Sequence, residues 1–312
     1  MLANERYSNA RSYLPHILAE DKSKKNEAFV AKYLKILEQK PVLPEAYQSV
    51  LQGGYPDEEE MKRYYLSDRE KAVADTIRRM YRATEKLDKM HIHYVNSTLL
   101  YGPSGSGKTM FAKYIAYIMD LPLYYVNFST AVDSFLGGTA KNIGKAFQCA
   151  KERACVLFLD EIDCVAMARK SGGREGADGE LERTTISLMQ NLDTLPNNVI
   201  LLAATNRPDI IDPALMRRFS QKHEVQMLSE DEAVRMVQMF FASIGQEAPY
   251  KAEEIKAKYR ETGSPADLMV RIVQDLAEKL AKETSKGEKG KNENQYQDIN
   301  SRSNIDDHIC NS

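Results

Sequence analysis

The sequence has no long apolar run, and none of its hydrophobic stretches approaches the roughly 18 residues that a membrane-spanning helix needs. Its opening segment, MLANERYSNARSYL, carries charge where a secretory signal peptide has an apolar centre. A dominant charge sign is also lacking, because 43 lysines and arginines face 45 aspartates and glutamates, for a formal net charge of -2. We therefore expect a cytoplasmic protein without a membrane span, in which only a local basic patch would bind nucleic acid.

Cysteines are few, and the four that occur lack the CxxC spacing typical of metal sites: Cys149, Cys155, Cys164 and Cys310. We expect incidental free thiols rather than metal ligands or disulfides. The 43% hydrophobic and 28% charged residues are ordinary for a soluble globular protein, which excludes a wholly disordered or fibrous chain. A length of 312 residues predicts one large domain or two unequal ones.

The first part of the chain, residues 1–66, is polar and reads as a mostly helical N-terminal extension. Apolar residues recur at helical spacing in NEAFVAKYLKILEQ. Prolines and glycines between residues 41 and 56 then predict a linker. A long helix begins near Asp68, whose side chain is the expected cap.

Four short apolar runs follow, each separated from the next by a helical stretch: STLLY, PLYYVN, CVLFLD and VILLAA. Buried parallel strands alternating with helices produce this pattern, so residues 67–228 are predicted to form an α/β core. From residue 229 to 283 only helical patterns occur, which indicates a small helical subdomain. Residues 284–312 have almost no apolar content, and we expect a disordered tail there.

The strongest motif is GPSGSGKT, which fits the phosphate-loop pattern G-x-x-x-x-G-K-[ST] between the strand STLLY and the helix KTMFAKYIAYIM. Backbone N–H groups of such a loop, together with the helix N-terminus, bind the β- and γ-phosphates. Lys108 would contact the terminal phosphates and Thr109 would ligate Mg²⁺. With Asp160, the predicted ATP-binding residues are Gly102, Pro103, Ser104, Gly105, Ser106, Gly107, Lys108, Thr109 and Met110.

Acidic residues follow the third apolar run in LFLDEID. Asp160 would lie in the metal shell with Thr109, and Glu161 would take a proton from the attacking water. A simple surface turn is the alternative, although unpaired carboxylates at the tip of a buried strand are costly to desolvate. Asp163 is expected to be only a cap or an ion-pair partner.

A third motif, AATNRP, ends the fourth apolar run. Asn206 would orient the attacking water beside the phosphate loop. Alone, an asparagine before a loop is usually a turn former. Its place after the other two motifs favours the functional interpretation.

These three motifs, in this order, resemble the AAA ATPase family. The segment NRPDIIDPAL resembles its second region of homology, and MRRF resembles its arginine-finger segment. The paired Arg217 and Arg218 most resemble the arginine-finger segment of the branch that contains microtubule-severing and membrane-protein-extracting members. The segment GSPADL resembles the start of a lid helix, so the resemblance covers about residues 68–282.

The resemblance implies a P-loop NTPase fold with a five-stranded parallel sheet and a helical lid. It also implies a homo-oligomeric ring, usually a hexamer, with ATP between neighbours. Arg217 and Arg218 would reach the next subunit's site, a contribution worth about 10³–10⁵ in turnover. The implied catalytic residues are Lys108, Glu161, Asn206, Arg217 and Arg218.

An aromatic-apolar-glycine loop of the family faces the ring pore and grips polypeptide. Phe135, Leu136 and Gly137 match it, with a buried phenylalanine as the alternative. A glycine-rich stretch from Gly172 to Gly179 matches a second pore loop.

Two segments depart from the family pattern. Pro265 replaces a glycine of the lid motif, and no arginine begins that helix, so no lid arginine is predicted at the γ-phosphate. The stretch HIHYV replaces the usual glycine-containing segment on the adenine side. Two interpretations of Ile92 to Tyr94 therefore stay open: contacts to the adenine ring, or simple packing.

An ATP-driven remodeller or unfoldase of protein substrates is the favoured function. The alternative is an ATP-dependent nucleic-acid factor, such as a helicase loader or transposition helper, but neither basic loops nor an added DNA-binding domain stands out. Glu161, Asn206 and the arginine pair argue against a scaffold that binds ATP without turnover. A small-molecule kinase would not need trans-acting arginines or a helical lid of this form.

Overall fold

The computed structural model describes residues 43–128, 139–165 and 177–282. Within these ranges the strands form one six-stranded sheet of order β1-β3-β4-β5-β2-β6. Neighbours from β3 to β6 in that order pair in parallel, and β1 pairs antiparallel with β3. The strands are β1 (Gln52–Gly54), β2 (Asn96–Tyr101), β3 (Leu123–Asn127), β4 (Cys155–Asp160), β5 (Val199–Thr205) and β6 (Gln221–Glu224). The predicted α/β fold with five parallel strands is confirmed, and β1 adds an antiparallel edge.

Helices cover both faces of the sheet and form the region after it. Their bounds are α1 (Glu58–Lys62), α2 (Asp68–Lys89), α3 (Lys108–Ile118), α4 (Thr139–Glu152), α5 (Ala177–Leu192), α6 (Pro213–Met216), α7 (Glu230–Ser243), α8 (Ala252–Thr262) and α9, over residues 265–282. Within the described ranges, no helix combines the length and apolar character that crossing a bilayer requires.

The central strands are buried on both faces, which explains their continuous apolar sequences. Successive side chains of β2 point to opposite faces, so Leu99 joins one core cluster and Leu100 the other. The first cluster includes Phe147 of α4. The second includes Ile77 of α2 and Phe111 of α3. The four apolar runs of the sequence are therefore β2 to β5, as predicted.

The N-cap of helix α2 is Ser67 and not the predicted Asp68. Asp68 is the first residue of the helix. The Ser67 hydroxyl accepts from the Glu70 backbone N–H, and the Glu70 carboxylate accepts from the Ser67 N–H at 2.9 Å. This reciprocal capping box satisfies two backbone donors that a single aspartate cap would not. Asp68, the first helical residue, instead places negative charge at the helix N-terminus.

Residues 43–66 pack on the α/β core. Leu43 and Leu51 are buried in the first core cluster, and β1 extends the sheet. The Lys113 ammonium of α3 pairs with the Glu60 carboxylate of α1 at 2.7 Å. The segment predicted as a linker therefore contains a strand, because the antiparallel edge of β3 accepts it; residues 1–42 of the predicted extension lie outside the described residues.

Gly53 sits where β1 passes closest to β3. A Cβ atom there would lie 2.8 Å from both the Leu123 carbonyl oxygen and the Tyr124 ring, whereas one on Gly54 would meet nothing within 4 Å. We expect Gly53→Ala to lower the free energy of unfolding by about 1–3 kcal/mol, since the strand must shift. Gly54→Ala, the matched control, should leave it unchanged or slightly raised. Equal denaturation midpoints for the two variants would refute this explanation of Gly53.

The helical subdomain has its own apolar core. Side chains of α7, α8 and α9 form it, among them Phe241, Ile255 and Ile272. It contacts the segment before α2, where the Arg235 guanidinium donates to the Tyr65 hydroxyl at 3.1 Å. A separate core is consistent with the predicted division near residue 229, and the bounds of the four predicted segments stay predictions.

Cys149 and Cys155 are free thiols. Cys149 and Cys155 are buried and Cys164 is partly buried. Cys310 and the predicted tail lie outside the described residues.

Candidate active site

The phosphate loop connects the end of β2 to the start of α3. Its backbone is left-handed at Gly102 and Gly105, with φ of 151° and 75°. At Gly102 the approach is also close, because a Cβ atom would lie 2.2 Å from the Val225 carbonyl oxygen. Glycine is therefore required here by both conformation and space.

Lys108 is buried at the first position of α3 and folds over the loop. Its Nζ donates to the carbonyl oxygens of Gly102 at 2.9 Å and Pro103 at 2.8 Å. Burial lowers the pKa of Lys108, and the nearby carboxylates of Asp160 and Asp163 oppose that shift. The ammonium thus lies at the mouth of the loop, in the field of the acidic strand end.

The loop fits a phosphate group. The Ser106 hydroxyl is buried and has no hydrogen-bond partner among the described residues. Helix α3 begins directly after the loop, so its unpaired backbone N–H groups point toward the same space. An anionic ligand would satisfy these donors.

Asp160 ends β4 and receives three hydrogen bonds. Its Oδ2 accepts from the Thr109 hydroxyl at 3.0 Å and from the Tyr125 hydroxyl at 3.3 Å. Its Oδ1 accepts from the Glu161 backbone N–H at 3.0 Å. Burial raises the pKa of Asp160, while these donors lower it. The hydroxyl and carboxylate oxygens of Thr109 and Asp160 are the hard ligands that Mg²⁺ prefers.

Glu161 follows in a left-handed conformation, with φ of 53° and ψ of 45°. This conformation costs a non-glycine residue about 1–3 kcal/mol and is found most often at functional sites. Among the residues that the structure describes, none hydrogen-bonds the Glu161 carboxylate. The strain turns the chain sharply after β4 and leaves the carboxylate available.

Asn206 leaves β5 between the phosphate loop and the acidic strand end. The Gly102 N–H donates to the Thr205 carbonyl oxygen at 3.3 Å, which joins the loop to β5. The Thr205 hydroxyl donates to Asp163 Oδ1 at 2.7 Å and accepts from the Arg207 N–H at 2.9 Å. Asp163 therefore anchors the turn that carries the exposed Asn206, a role more specific than the predicted cap or ion-pair partner.

Arg217 and Arg218 lie apart from these residues, at the end of α6, and their surroundings differ. The Arg218 guanidinium forms a bidentate pair with Asp193, at 2.8 and 2.9 Å, and also donates to the Ala214 carbonyl oxygen at 2.9 Å. Arg217 is exposed and has no side-chain hydrogen bond or ion pair to any described residue. Of the two arginines, only Arg217 thus has no side-chain partner among the described residues.

Tyr125, Thr205 and Ser264 are contacts that the sequence analysis did not single out. A Cβ atom on Gly105 would lie 2.8 Å from the Ser264 hydroxyl oxygen, so the start of α9 touches the phosphate loop. The lid motif therefore reaches the loop without an arginine. Tyr125 and Thr205 each place a hydroxyl in an otherwise apolar strand. That pattern could have identified both residues from the sequence.

The segment from Ile92 to Tyr94, for which adenine contacts were set against packing, lies at the edge of the sheet opposite the phosphate loop. It precedes β2, whereas the phosphate loop follows β2, a strand about 17 Å long. Asn197 holds it there by accepting from the Tyr94 N–H at 2.8 Å and donating to the Ile92 carbonyl oxygen at 2.9 Å. Packing is therefore the better interpretation of this segment.

Two further predicted elements fall outside the described residues. These are the pore loop of Phe135, Leu136 and Gly137 and most of the glycine-rich stretch that begins at Gly172.

The sequence that forms this site matches a known family. Residues 98–227 match the family model of the ATPase family associated with various cellular activities, AAA. This part of the chain is an AAA ATPase domain. The match includes the phosphate loop, the acidic strand end, Asn206 and both arginines, whereas residues 92–94 and the lid segment lie outside it.

Several relatives resemble this AAA chain over part of its length. It is 35% identical to a proteasome-activating nucleotidase of Methanococcus maripaludis over 179 residues, which are 56% of this chain and 44% of the relative. It is 34% identical to the 26S proteasome regulatory subunit 10B homolog A of Arabidopsis thaliana over 208 residues, 65% of this chain and 52% of the relative. An ATP-dependent zinc metalloprotease FtsH of Chlorobium luteolum is 43% identical over 122 residues, 38% and 17% of the two chains. This chain therefore spans about half, or less, of each relative, and its predicted branch stays a prediction.

Proposed function

We propose that this AAA protein binds ATP with Mg²⁺, hydrolyses it between neighbouring copies in a ring, and remodels protein substrates. One observation carries the proposal. The Thr109–Asp160 hydrogen bond joins the phosphate loop to the acidic end of β4 across 51 positions of sequence. It places phosphate-binding groups, two metal-ligand candidates and the Glu161 carboxylate at one edge of the sheet.

Each residue at this edge has one proposed role. Lys108 exchanges its two carbonyl partners for the terminal phosphates of ATP. Thr109 and Asp160 hold Mg²⁺, which when bound neutralises charge on the phosphate oxygens. Glu161 accepts the proton of the attacking water, and Asn206 orients that water.

Arg217 is the proposed contact to the neighbouring subunit's phosphates. Its side chain is exposed and has no hydrogen bond or ion pair to any residue in the described ranges, whereas Arg218 is held by Asp193 and by the Ala214 carbonyl oxygen. Both arginines were predicted to act in trans. We assign the direct contact to Arg217 and propose that Arg218 fixes the segment on α5.

Protein substrates are the better-supported class. The names of two relatives refer to the proteasome, and a third is called a metalloprotease. The predicted pore loop at Phe135 points the same way, although it lies outside the described residues. The nucleic-acid alternative has no specific contact in its favour, and the hexameric ring and cytoplasmic location stay predictions.

Glu161→Gln should bind ATP but hydrolyse it about 10²–10⁴ times more slowly, because an amide cannot accept the proton. The variant should therefore hold its substrate while ATP is present. We would measure ATP turnover, and identify the protein and nucleic acid that copurify with the variant in ATP and in ADP.

Three outcomes are informative in that experiment. Protein retained in ATP, lost in ADP and resistant to nuclease supports the remodelling function. Retention of nucleic acid alone would favour the alternative function. Turnover at the parent rate would remove Glu161 from the mechanism.

A further inference from the structure

We propose that Tyr125 is a positioning residue of the Mg²⁺ site, whose hydroxyl holds the Asp160 carboxylate in its metal-facing orientation. The proposal rests on the function proposed above, because it assumes that Mg²⁺ binds with ATP at Thr109 and Asp160. Tyr125 belongs to neither the phosphate loop nor the acidic motif. It reaches the site from β3, the strand adjacent to β4.

The neighbouring strand fixes the position of the Tyr125 ring. Tyr125 is the register partner of Phe158, and the two ring centroids are 5.6 Å apart. The ring also packs against the core cluster that contains Phe111. Apolar packing thus sets the direction of the side chain, and the hydroxyl lies 3.3 Å from Asp160 Oδ2.

The Asp160 carboxylate needs such a contact. The χ2 torsion of aspartate is broad, so hydrogen bonds rather than the side chain itself must fix the plane of the carboxylate. Oδ1 is held by the Glu161 N–H, and Oδ2 is shared by the Thr109 and Tyr125 hydroxyls. Thr109 is itself a proposed metal ligand, whereas Tyr125 is not, and its hydroxyl donates to Asp160 Oδ2.

The size of the effect follows from other metal sites. Removing a group that orients a metal ligand commonly lowers metal affinity by about 10–100-fold. Tyr125→Phe removes the hydroxyl and keeps the ring that packs on Phe158. We therefore expect a change in metal dependence with little change in stability.

The test is a Mg²⁺ titration of the binding of a fluorescent, non-hydrolysable ATP analogue. For Tyr125→Phe, the Mg²⁺ concentration at half-maximal enhancement should rise about 10-fold or more. Binding in EDTA should equal that of the parent, and saturating Mg²⁺ should restore the parent affinity. Thermal melting would confirm that the variant is folded.

Tyr124→Phe is the matched control, since it makes the same change one residue earlier. Tyr124 belongs to the core cluster on the opposite face of the sheet, so its titration midpoint should equal the parent's. An unchanged midpoint in Tyr125→Phe, or equal shifts in both variants, would overturn the positioning role. If Mg²⁺ does not affect analogue binding to the parent, the proposed metal site itself is wrong, which separates the two failures.

Discussion

Lys108→Ala should lose nucleotide binding. The ammonium is buried against the phosphate loop, and its two hydrogen bonds to the carbonyl oxygens of Gly102 and Pro103 hold it there. In the complex it would instead donate charge-assisted hydrogen bonds to phosphate, each worth about 1.5–3 kcal/mol. Losing two of them weakens binding by about 100-fold or more. Titration with a fluorescent ATP analogue measures this directly.

Lys113→Ala is the matched control on the same helix. Lys113 pairs with Glu60 on the partly exposed side of α3, away from the loop. Loss of such a pair costs at most about 1 kcal/mol of stability, and nucleotide affinity should equal the parent's. Near-parental affinity in a folded Lys108→Ala protein would contradict the assigned site.

Arg217→Ala should bind ATP normally and hydrolyse it about 10³–10⁵ times more slowly, because a trans arginine stabilises charge that develops only during phosphoryl transfer. The direct measurement compares single-turnover hydrolysis with analogue affinity in the same preparation. Asp193→Ala should reproduce the effect of Arg218→Ala, since each removes one half of the same ion pair. Arg217→Ala should leave ATP affinity unchanged whether or not the Asp193–Arg218 pair is intact.

Mixing two inactive variants tests whether Arg217 acts between chains. Lys108→Ala keeps Arg217, and Arg217→Ala keeps Lys108. In mixed rings some interfaces would combine an intact Lys108 with a neighbour's intact Arg217, and ATPase activity should partly return. Residues that act within one chain could not be rescued in this way.

The mixing ratio provides the quantitative measurement. Recovered activity should peak at intermediate ratios and vanish for either variant alone, with co-assembly shown separately by differently tagged chains. A flat zero across all ratios in rings shown to be mixed would count against action between chains, or would require that all sites of a ring act together.

Sequence reasoning could place the site because its main parts are local. The phosphate loop, Glu161 and Asn206 each follow a strand whose apolar sequence is unmistakable. The carboxyl ends of parallel strands meet at one edge, so strand order alone brings these motifs together. Residues 92–94 precede β2 and lie at the opposite edge of the sheet for the same reason, which favours packing, and adenine contacts there stay an untested prediction.

The sequence by itself determined the α/β core, the helical subdomain and the phosphate loop, because helical and strand periodicity and backbone anion binding are properties of short segments. Only the tertiary structure decided which distant side chains act together. Tyr125 meets Asp160 across 35 positions, Asp163 meets Thr205 across 42 and Asp193 meets Arg218 across 25. Strand register and helix packing select these partners, and no short segment encodes either. For the same reason Gly53, which reads as a linker residue, is a strand residue required by the close approach of β3.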